Sequence, residues 1–240
     1  MRTLLIILII GLGLGGLLGC GPADLEDLVE DPLSGEQLDA AAARVDMHHL
    51  LRDADLTEGG HITVQQVQDF LQRKGGLLAR YRDPEAGGRT AAEIIVEQGR
   101  AHRIHPVYLL ARIQTESSLV SGHVPARLPR AAGCGCPDGA GCSSAYAGFA
   151  RQVQCAAEKM RSYLRDLEAG RPTVSGWRPG VARSTLDPCR VVPANRATAA
   201  LYTYTPWVGA YAVQCGRRSV GGSSLLAALY GTYRQDPVFR

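Results

Sequence analysis

One glutamate, Glu116, stands where its type and spacing could support proton transfer. It lies in the segment 113–119 (IQTESSL), seven residues after Leu109 and three after Ile113. On a helix, this spacing directs the carboxylate along an apolar face. Burial there favours the protonated acid, which could donate its proton to the leaving oxygen of a glycosidic bond. The alternative is a glutamate at a fraying helix end, either solvated or paired with Arg112.

The helix that carries Glu116 is predicted to begin at Pro106, because the missing N–H of a proline costs nothing in the first turn. Leu109, Leu110 and Ile113 follow with the spacing of a buried stripe. The sequence therefore places Glu116 at the end of a helix that forms part of the core.

Helical patterns account for most of the remaining chain. Capping boxes begin one helix at Thr63 and another at Thr90, and Gly75 ends the first of these. Since no series of strands is evident, we predict a mainly α fold with at most a small strand content. Further helical segments are predicted over 36–52, 149–167, 195–204 and 225–233.

The first twenty residues have the pattern of an export signal. Arg2 is followed by an apolar stretch from Leu4 to Ile10 and then by a run of Gly and Leu. Residues 17–20 (LLGC) resemble a bacterial lipobox, in which Cys20 is acylated and becomes the mature N-terminus. We predict a lipoprotein signal peptide over 1–19. An uncleaved membrane helix is the alternative, although the stretch is short and rich in Gly.

The chain after Cys20 divides into a tether and one domain. Residues 20–45 are acidic and contain Pro22 and Pro32, which favours a tether that lifts the domain off a membrane. Residues 46–240 are predicted to form one domain, because 240 residues with 45% hydrophobic content are short for two cores. The lipid anchor predicts a place in the cell envelope, on the periplasmic face of the outer or inner membrane or at the cell surface.

The composition also limits the partners of the protein. A formal net charge of +3 argues against nucleic-acid binding, which needs a concentrated basic face. No metal or cofactor is predicted, and we expect a monomer.

Cysteine usage agrees with export. Six cysteines remain besides Cys20, and an even number outside the cytoplasm suggests disulfides, for which fifteen pairings are possible. Zinc is the alternative, because Cys134, Cys136 and Cys142 could act as ligands. However, the one-residue gap is unusual for zinc and no nearby histidine completes the set. The disulfide candidates are Cys134, Cys136, Cys142, Cys155, Cys189 and Cys215.

Several motifs occur in an order that matches a known group of proteins. They are Ala91-Ala92-x-Ile94-Ile95, Pro106-x-x-Leu109-Leu110 with Gln114-x-Glu116, Gly135-Cys136-Pro137-Asp138, Gly148-Phe149-x-x-Gln152-Val153, and the stretch from Asn195 to Pro206. Over residues 46–212 the chain resembles the lysozyme-like superfamily, and within it the secreted bacterial proteins related to lytic transglycosylases. The resemblance implies a lysozyme-like, disulfide-stapled domain that cleaves the β-1,4 bond between the two amino sugars of peptidoglycan.

The resemblance also implies roles for individual residues. Glu116 would be the general acid and later the base, and Ser117 would orient the substrate beside it. Gly148 and Gln152 would lie on the cleft wall, while Tyr202 and Tyr204 would contact the reacting sugar. The chain departs from the family pattern at Thr203, which stands between these tyrosines where the family has Asn, and at Thr115, which stands where a Lys is common. A Met-Gln pair of the family is absent.

The sequence offers no obvious second carboxylate for a two-acid mechanism. The next acidic residues after Glu116 are Asp138, in a Cys-rich loop, and Glu158, inside a predicted helix. A single acid suits a lytic transglycosylase, in which the sugar itself completes the displacement and a 1,6-anhydro end forms. The alternative function is a lipoprotein of the cell envelope that binds the glycan without cleaving it.

Overall fold

The computed structural model describes residues 45–136, 141–209, 215 and 221–240. Over these residues the fold is mainly α, which confirms the predicted fold class at this level. The predicted signal peptide (1–19), the lipidation site Cys20 and the tether up to residue 44 lie outside the described residues, as does Asp138. No helix within the described ranges combines the length and the apolar character that crossing a membrane requires.

The described residues form seven α-helices and two short hairpins, together with short 3₁₀ helices. The hairpin strands pair antiparallel, β1 with β2 and β3 with β4, over two residues each. The helices are α1 (Asp53–Thr57), α2 (Val64–Lys74), α3 (Ala91–His102), α4 (Pro106–Ser117), α5 (Phe149–Glu168), α6 (Arg196–Tyr204) and α7 (Gly222–Arg234), and the strands are β1 (Arg82–Asp83), β2 (Arg89–Thr90), β3 (Arg183–Ser184) and β4 (Arg190–Val191).

The ends of the helices follow the local sequence signals. Thr63 and Thr90 each accept a hydrogen bond from the third residue of the helix that follows, and the side chain of that residue returns the contact, so both predicted capping boxes are confirmed. Gly75 ends α2 in the left-handed conformation, with φ of 75°. Pro106 occupies the first position of α4, as predicted.

The helix predicted over residues 36–52 is wrong for its described part, because residues 45–52 form turns and bends. The Asp46 carboxylate accepts the N–H of His48, which is a local alternative to the helical hydrogen bond. The N–H of Leu50 is bonded to the hydroxyl of Thr198, 148 residues away. Tertiary contacts therefore replace the helix that the composition favoured.

Helix α4 lies at the centre of the fold and packs most extensively against α7. Ten of its twelve residues are buried, which exceeds the single buried stripe that the sequence predicts. Only Thr115 and Glu116 of this helix are not buried. The helix thus reaches the surface at its C-terminal turn, at the residue that the sequence singles out.

His105 forms the N-cap of α4. Its Nδ1 accepts the N–H of Val107 at 3.1 Å, while its buried Nε2 has no hydrogen-bond partner among the described residues. The ring also meets the edge of Tyr230, with 5.8 Å between ring centroids. Burial lowers the pKa of His105 to about 4, so the imidazole is neutral at pH 7.

We expect the free energy of unfolding to fall as the pH drops from about 6.5 to about 4. The unfolded chain binds the His105 proton first, so the contribution of the neutral ring is complete above pH 6.5 and is lost on acidification, by at most roughly 3 kcal/mol. Protonation also removes the acceptor that caps α4. Urea unfolding at pH 7 and pH 4.5 should show this loss in the wild type and a smaller one in His105→Asn, which keeps a capping oxygen and does not titrate. An equal loss in both proteins would exclude His105 as the source.

Candidate active site

Glu116 occupies the last turn of α4, and its side chain is 27% exposed. Its Oε1 accepts a hydrogen bond from Nη1 of Arg112 at 2.7 Å, one helical turn earlier. Of the two environments that the sequence allows, the structure therefore shows the ion pair with Arg112 and not a dry apolar groove.

The Arg112 guanidinium has no exposed surface. Its Nη1 also donates to Oγ1 of Thr205 at 2.7 Å, and its central carbon lies 4.3 Å from the ring centroid of Tyr204. Within the described residues, Nε and Nη2 have no hydrogen-bond partner. A buried cation is costly unless a charge of opposite sign is close, so Glu116 supplies the countercharge that stabilises Arg112 in the core.

A loop of residues 131–136, which we call the glycine loop, packs against the other side of Glu116. Gly133 has φ of 66°, and a Cβ at this position would lie 2.5 Å from Oε2 of Glu116. The carboxylate therefore lies between the buried guanidinium and the backbone of the glycine loop. Only glycine satisfies both the backbone conformation and the close approach.

Gln152 holds the glycine loop in place. Its Oε1 accepts the N–H groups of Ala132 and Cys134, at 3.2 and 3.0 Å. Its Nε2 donates to the carbonyl oxygens of Cys134 and Tyr146, at 2.8 and 2.9 Å. Gln152 is buried, and all four of these contacts position the backbone of the loop, while its predicted place on the cleft wall remains a prediction.

Disulfides reinforce the same loop. Cys134 is bonded to Cys155 on α5, and Cys136 is bonded to Cys142. A third bond, between Cys189 and Cys215, lies elsewhere in the chain. The prediction of disulfides is thus confirmed, and the zinc alternative is wrong because its three cysteines are consumed in disulfide bonds. No group of three His, Cys, Asp or Glu side chains in the described part of the chain is arranged to hold a metal.

Two more predicted substrate-binding residues are buried. Oγ of Ser117 lies 2.8 Å from the carbonyl oxygens of Ile113 and Ala131, so it joins the end of α4 to the glycine loop. The Tyr202 ring stacks on Trp177, and its hydroxyl donates to the carbonyl of Met47 at 2.9 Å. Both residues are thus held by internal contacts, and their roles in substrate binding remain predictions.

Tyr204 and Gly148 lie closer to solvent than Ser117 and Tyr202. Tyr204 lines a cavity of about 230 Å³, together with the glycine loop and Lys159, and its hydroxyl donates to the carbonyl of Ala132. Burial raises the pKa of Tyr204 well above its usual value, so the phenol remains neutral beside Arg112. Gly148 is partly exposed, with φ of 107°, and forms the N-cap of α5.

The sequence indicates part of this arrangement. Arg112 precedes Glu116 by four residues, the spacing at which helical side chains meet, so the ion pair was foreseeable as an alternative. No comparable signal identified Gly133, Thr205 or Lys159, because each lies in a segment of the chain far from Glu116 in the sequence.

Comparison of this chain with protein-family models, curated proteins and solved structures found no match. The chemistry of the site therefore has to be inferred from its own geometry. That geometry is a partly exposed carboxylate, fixed from two sides, next to a loop that lines a cavity. A fixed carboxylate with an exposed face can exchange a proton with a bound ligand.

We expect Gly133→Ala to lower the free energy of unfolding by about 1–2 kcal/mol, because alanine is strained at this φ and its Cβ displaces the Glu116 carboxylate. The matched control is Gly141→Ala, where a Cβ would meet nothing within 4 Å. Calorimetric melting temperatures of both variants provide the measurement. Equal melting temperatures would contradict the close packing of the glycine loop on Glu116.

Glu116→Ala is expected to destabilise the fold by roughly 3 kcal/mol, because it leaves the Arg112 guanidinium buried without a countercharge. Glu116→Gln also removes the countercharge but keeps an acceptor oxygen for Nη1, so it should be less destabilising than Glu116→Ala by about 1 kcal/mol. Urea unfolding of the two variants and the wild type distinguishes these values. A Glu116→Ala protein at least as stable as the wild type would show that the ion pair does not support the core.

Proposed function

We propose that this chain is a peptidoglycan-cleaving glycosidase with a lysozyme-like domain. It would act as a lytic transglycosylase on the β-1,4 bond between N-acetylmuramic acid and N-acetylglucosamine, with Glu116 as its single catalytic acid. The observation that carries the proposal is the position of Glu116. Glu116 lies partly exposed in the last turn of a helix that is otherwise largely buried, and Arg112 and Gly133 fix it from two sides. Preorganisation of this kind is what a proton donor in catalysis requires.

The two buried carboxylates of the described residues, Asp83 and Asp187, have structural partners. Asp83 accepts the N–H groups of Glu85 and Ala150. Asp187 accepts the N–H groups of Val208 and Gly209, and also a hydroxyl. Asp83 and Asp187 are thus both engaged in holding the backbone, and the proposal assigns the proton transfers to Glu116 alone.

The proposed reaction consumes no water. Protonated Glu116 gives its proton to the glycosidic oxygen while the bond from that oxygen to C1 of the muramic acid breaks. The resulting carboxylate then takes the proton of the C6 hydroxyl as that oxygen bonds to C1, which closes a 1,6-anhydro ring. Arg112 holds the carboxylate in position between the two steps through the hydrogen bond from Nη1 to Oε1.

The proposed location is the cell envelope, with the protein anchored through lipidated Cys20. Three disulfides support an oxidising compartment, because intracellular thiols are usually kept reduced. The glycan substrate occupies the same compartment. We propose a monomer.

A second candidate is glycan binding without cleavage. The observation that favours it is the ion pair itself, because neutralising the buried Arg112 gives Glu116 a structural purpose that needs no catalysis. Thr203, which stands where the family has Asn, also forms internal contacts. Its hydroxyl lies 2.6 Å from Oγ1 of Thr173 and 2.9 Å from the carbonyl of Ala199.

We expect the wild-type protein to release muropeptides with 1,6-anhydro ends from purified sacculi, and Glu116→Gln to reduce the release at least 100-fold, because an amide cannot donate the required proton. Glu58→Gln, an exposed site on the C-cap of α1, provides the control and should retain activity. Mass spectrometry of the soluble products is the measurement.

Each alternative has its own result in this experiment. Reducing ends in place of anhydro ends would replace transglycosylation with hydrolysis. Equal, negligible release by the wild type and Glu116→Gln, with both proteins bound to sacculi, would reject cleavage in favour of binding. Glu116→Gln is preferred to Glu116→Ala because it preserves the hydrogen bond to Arg112.

A further inference from the structure

A basic groove lies between α3 and α5. It consists of two adjoining cavities of about 710 and about 400 Å³, and Arg103 and Arg161 line both of them. Lys159 and Arg165 line the larger cavity, and Arg100 lines the smaller one. We refer to these two cavities together as the basic groove.

Most of the positive charge of the basic groove is not neutralised by the protein. Glu168 is paired with Arg161, and Glu158 lies 3.9 Å from His102. The lining of the groove nevertheless holds five basic side chains against two carboxylates, Glu158 and Glu168, so an excess of positive charge remains for a ligand. The cations of the larger cavity that have no ion-pair partner among the described residues are Arg103, Lys159 and Arg165.

Lys159 connects the basic groove with the candidate active site. It also lines the cavity of about 230 Å³ to which Tyr204 and the glycine loop contribute beside Glu116. Lys159 and Arg165 are six residues apart on α5, which corresponds to about 9 Å along the helix axis. Lys159 therefore forms a wall that the basic groove shares with the cavity beside the glycine loop.

We propose that the basic groove binds an acidic peptide branch of the same polymer whose glycan strand lies at Glu116. This inference rests on the proposed function. An extended peptide of four residues spans about 13 Å, enough to run past Lys159 to Arg165. Its carboxylates pair with the lysine ammonium and with the guanidinium groups, which bind carboxylates through two hydrogen bonds.

The arrangement of the cations favours a peptide over a phosphate or a lipid surface. A single phosphate needs donors that converge on one point, whereas Lys159 and Arg165 are separated along α5. A membrane surface needs an open face, whereas these cations line concave cavities. Carboxylates two or three residues apart on an extended peptide are separated by about 7–10 Å, which matches the spacing on α5.

Fluorescence polarisation with a labelled acidic tetrapeptide carrying two free carboxylates tests the assignment on the full-length protein. We expect binding that weakens as salt is added, because exposed charges are screened. Arg103→Gln, Lys159→Gln and Arg165→Gln should each lower the affinity about three- to fivefold, and the triple variant roughly 50-fold. Arg178→Gln makes the same change of charge at an exposed site outside both cavities and should bind like the wild type.

Three results would overturn the inference. The first is that a peptide with both carboxylates amidated binds as tightly as the acidic peptide. The second is that the triple variant binds the acidic peptide with wild-type affinity. The third is that poly(glycerol phosphate) displaces the labelled peptide at lower concentrations than the unlabelled peptide does. The last result would assign the groove to a phosphodiester polymer.

Glycan strands freed of their peptides separate this inference from the proposed function. If the wild type and the double variant Arg103→Gln/Arg165→Gln, which leaves Lys159 of the candidate active site intact, cleave these strands equally, and only the wild type prefers strands that carry peptides, the groove assignment is supported together with the function. If the acidic peptide binds but no strand is cleaved, the proposed function fails and the groove assignment stands. If strands are cleaved without peptide preference or peptide binding, the groove assignment alone fails.

Discussion

A guanidinium with no exposed surface needs a negative charge close by, and for Arg112 that charge is Glu116. The pair joins the core to the surface, because the guanidinium lies on a buried turn of α4 and the carboxylate on the turn that reaches solvent. Thr205 and Tyr204 complete the surroundings of the cation. The end of α6 is thereby held against the same point, so the position of the carboxylate depends on the packing of two helices.

The glycine loop, on the other side of Glu116 from Arg112, also fixes the position of the carboxylate. Its backbone passes so close to the carboxylate that only a glycine fits at position 133. The short distance between the loop backbone and the Glu116 carboxylate is kept only if the loop is fixed. Gln152 and the disulfide from Cys134 to Cys155 attach the loop to α5. Stability and site geometry therefore rest on one set of contacts. A chemical role for Glu116 is compatible with this, because proton transfer depends on fixed positions more than on strong binding.

The helices that surround the site were largely predictable. The capping boxes at Thr63 and Thr90 and the proline at 106 act within one turn of chain, so local sequence is sufficient to start these helices. The apolar positions of α5 recur with the helical period and are buried as expected. They share one face of the helix, and such a face packs against the core. Disulfides were predictable from the number of cysteines, but their pairing was not, since pairing depends on which loops meet in space.

What the sequence determined by itself is the set of local elements, the candidate acid and the chemistry of its side chain. What only the tertiary structure decided is the surroundings of that acid. The contacts of Gln152, Ser117 and Tyr202 turned out to be internal, because each side chain meets backbone carbonyl or N–H groups from a distant or irregular segment. Spacing along a chain specifies which residues share a helix face, whereas partners from other segments are fixed only when the helices pack.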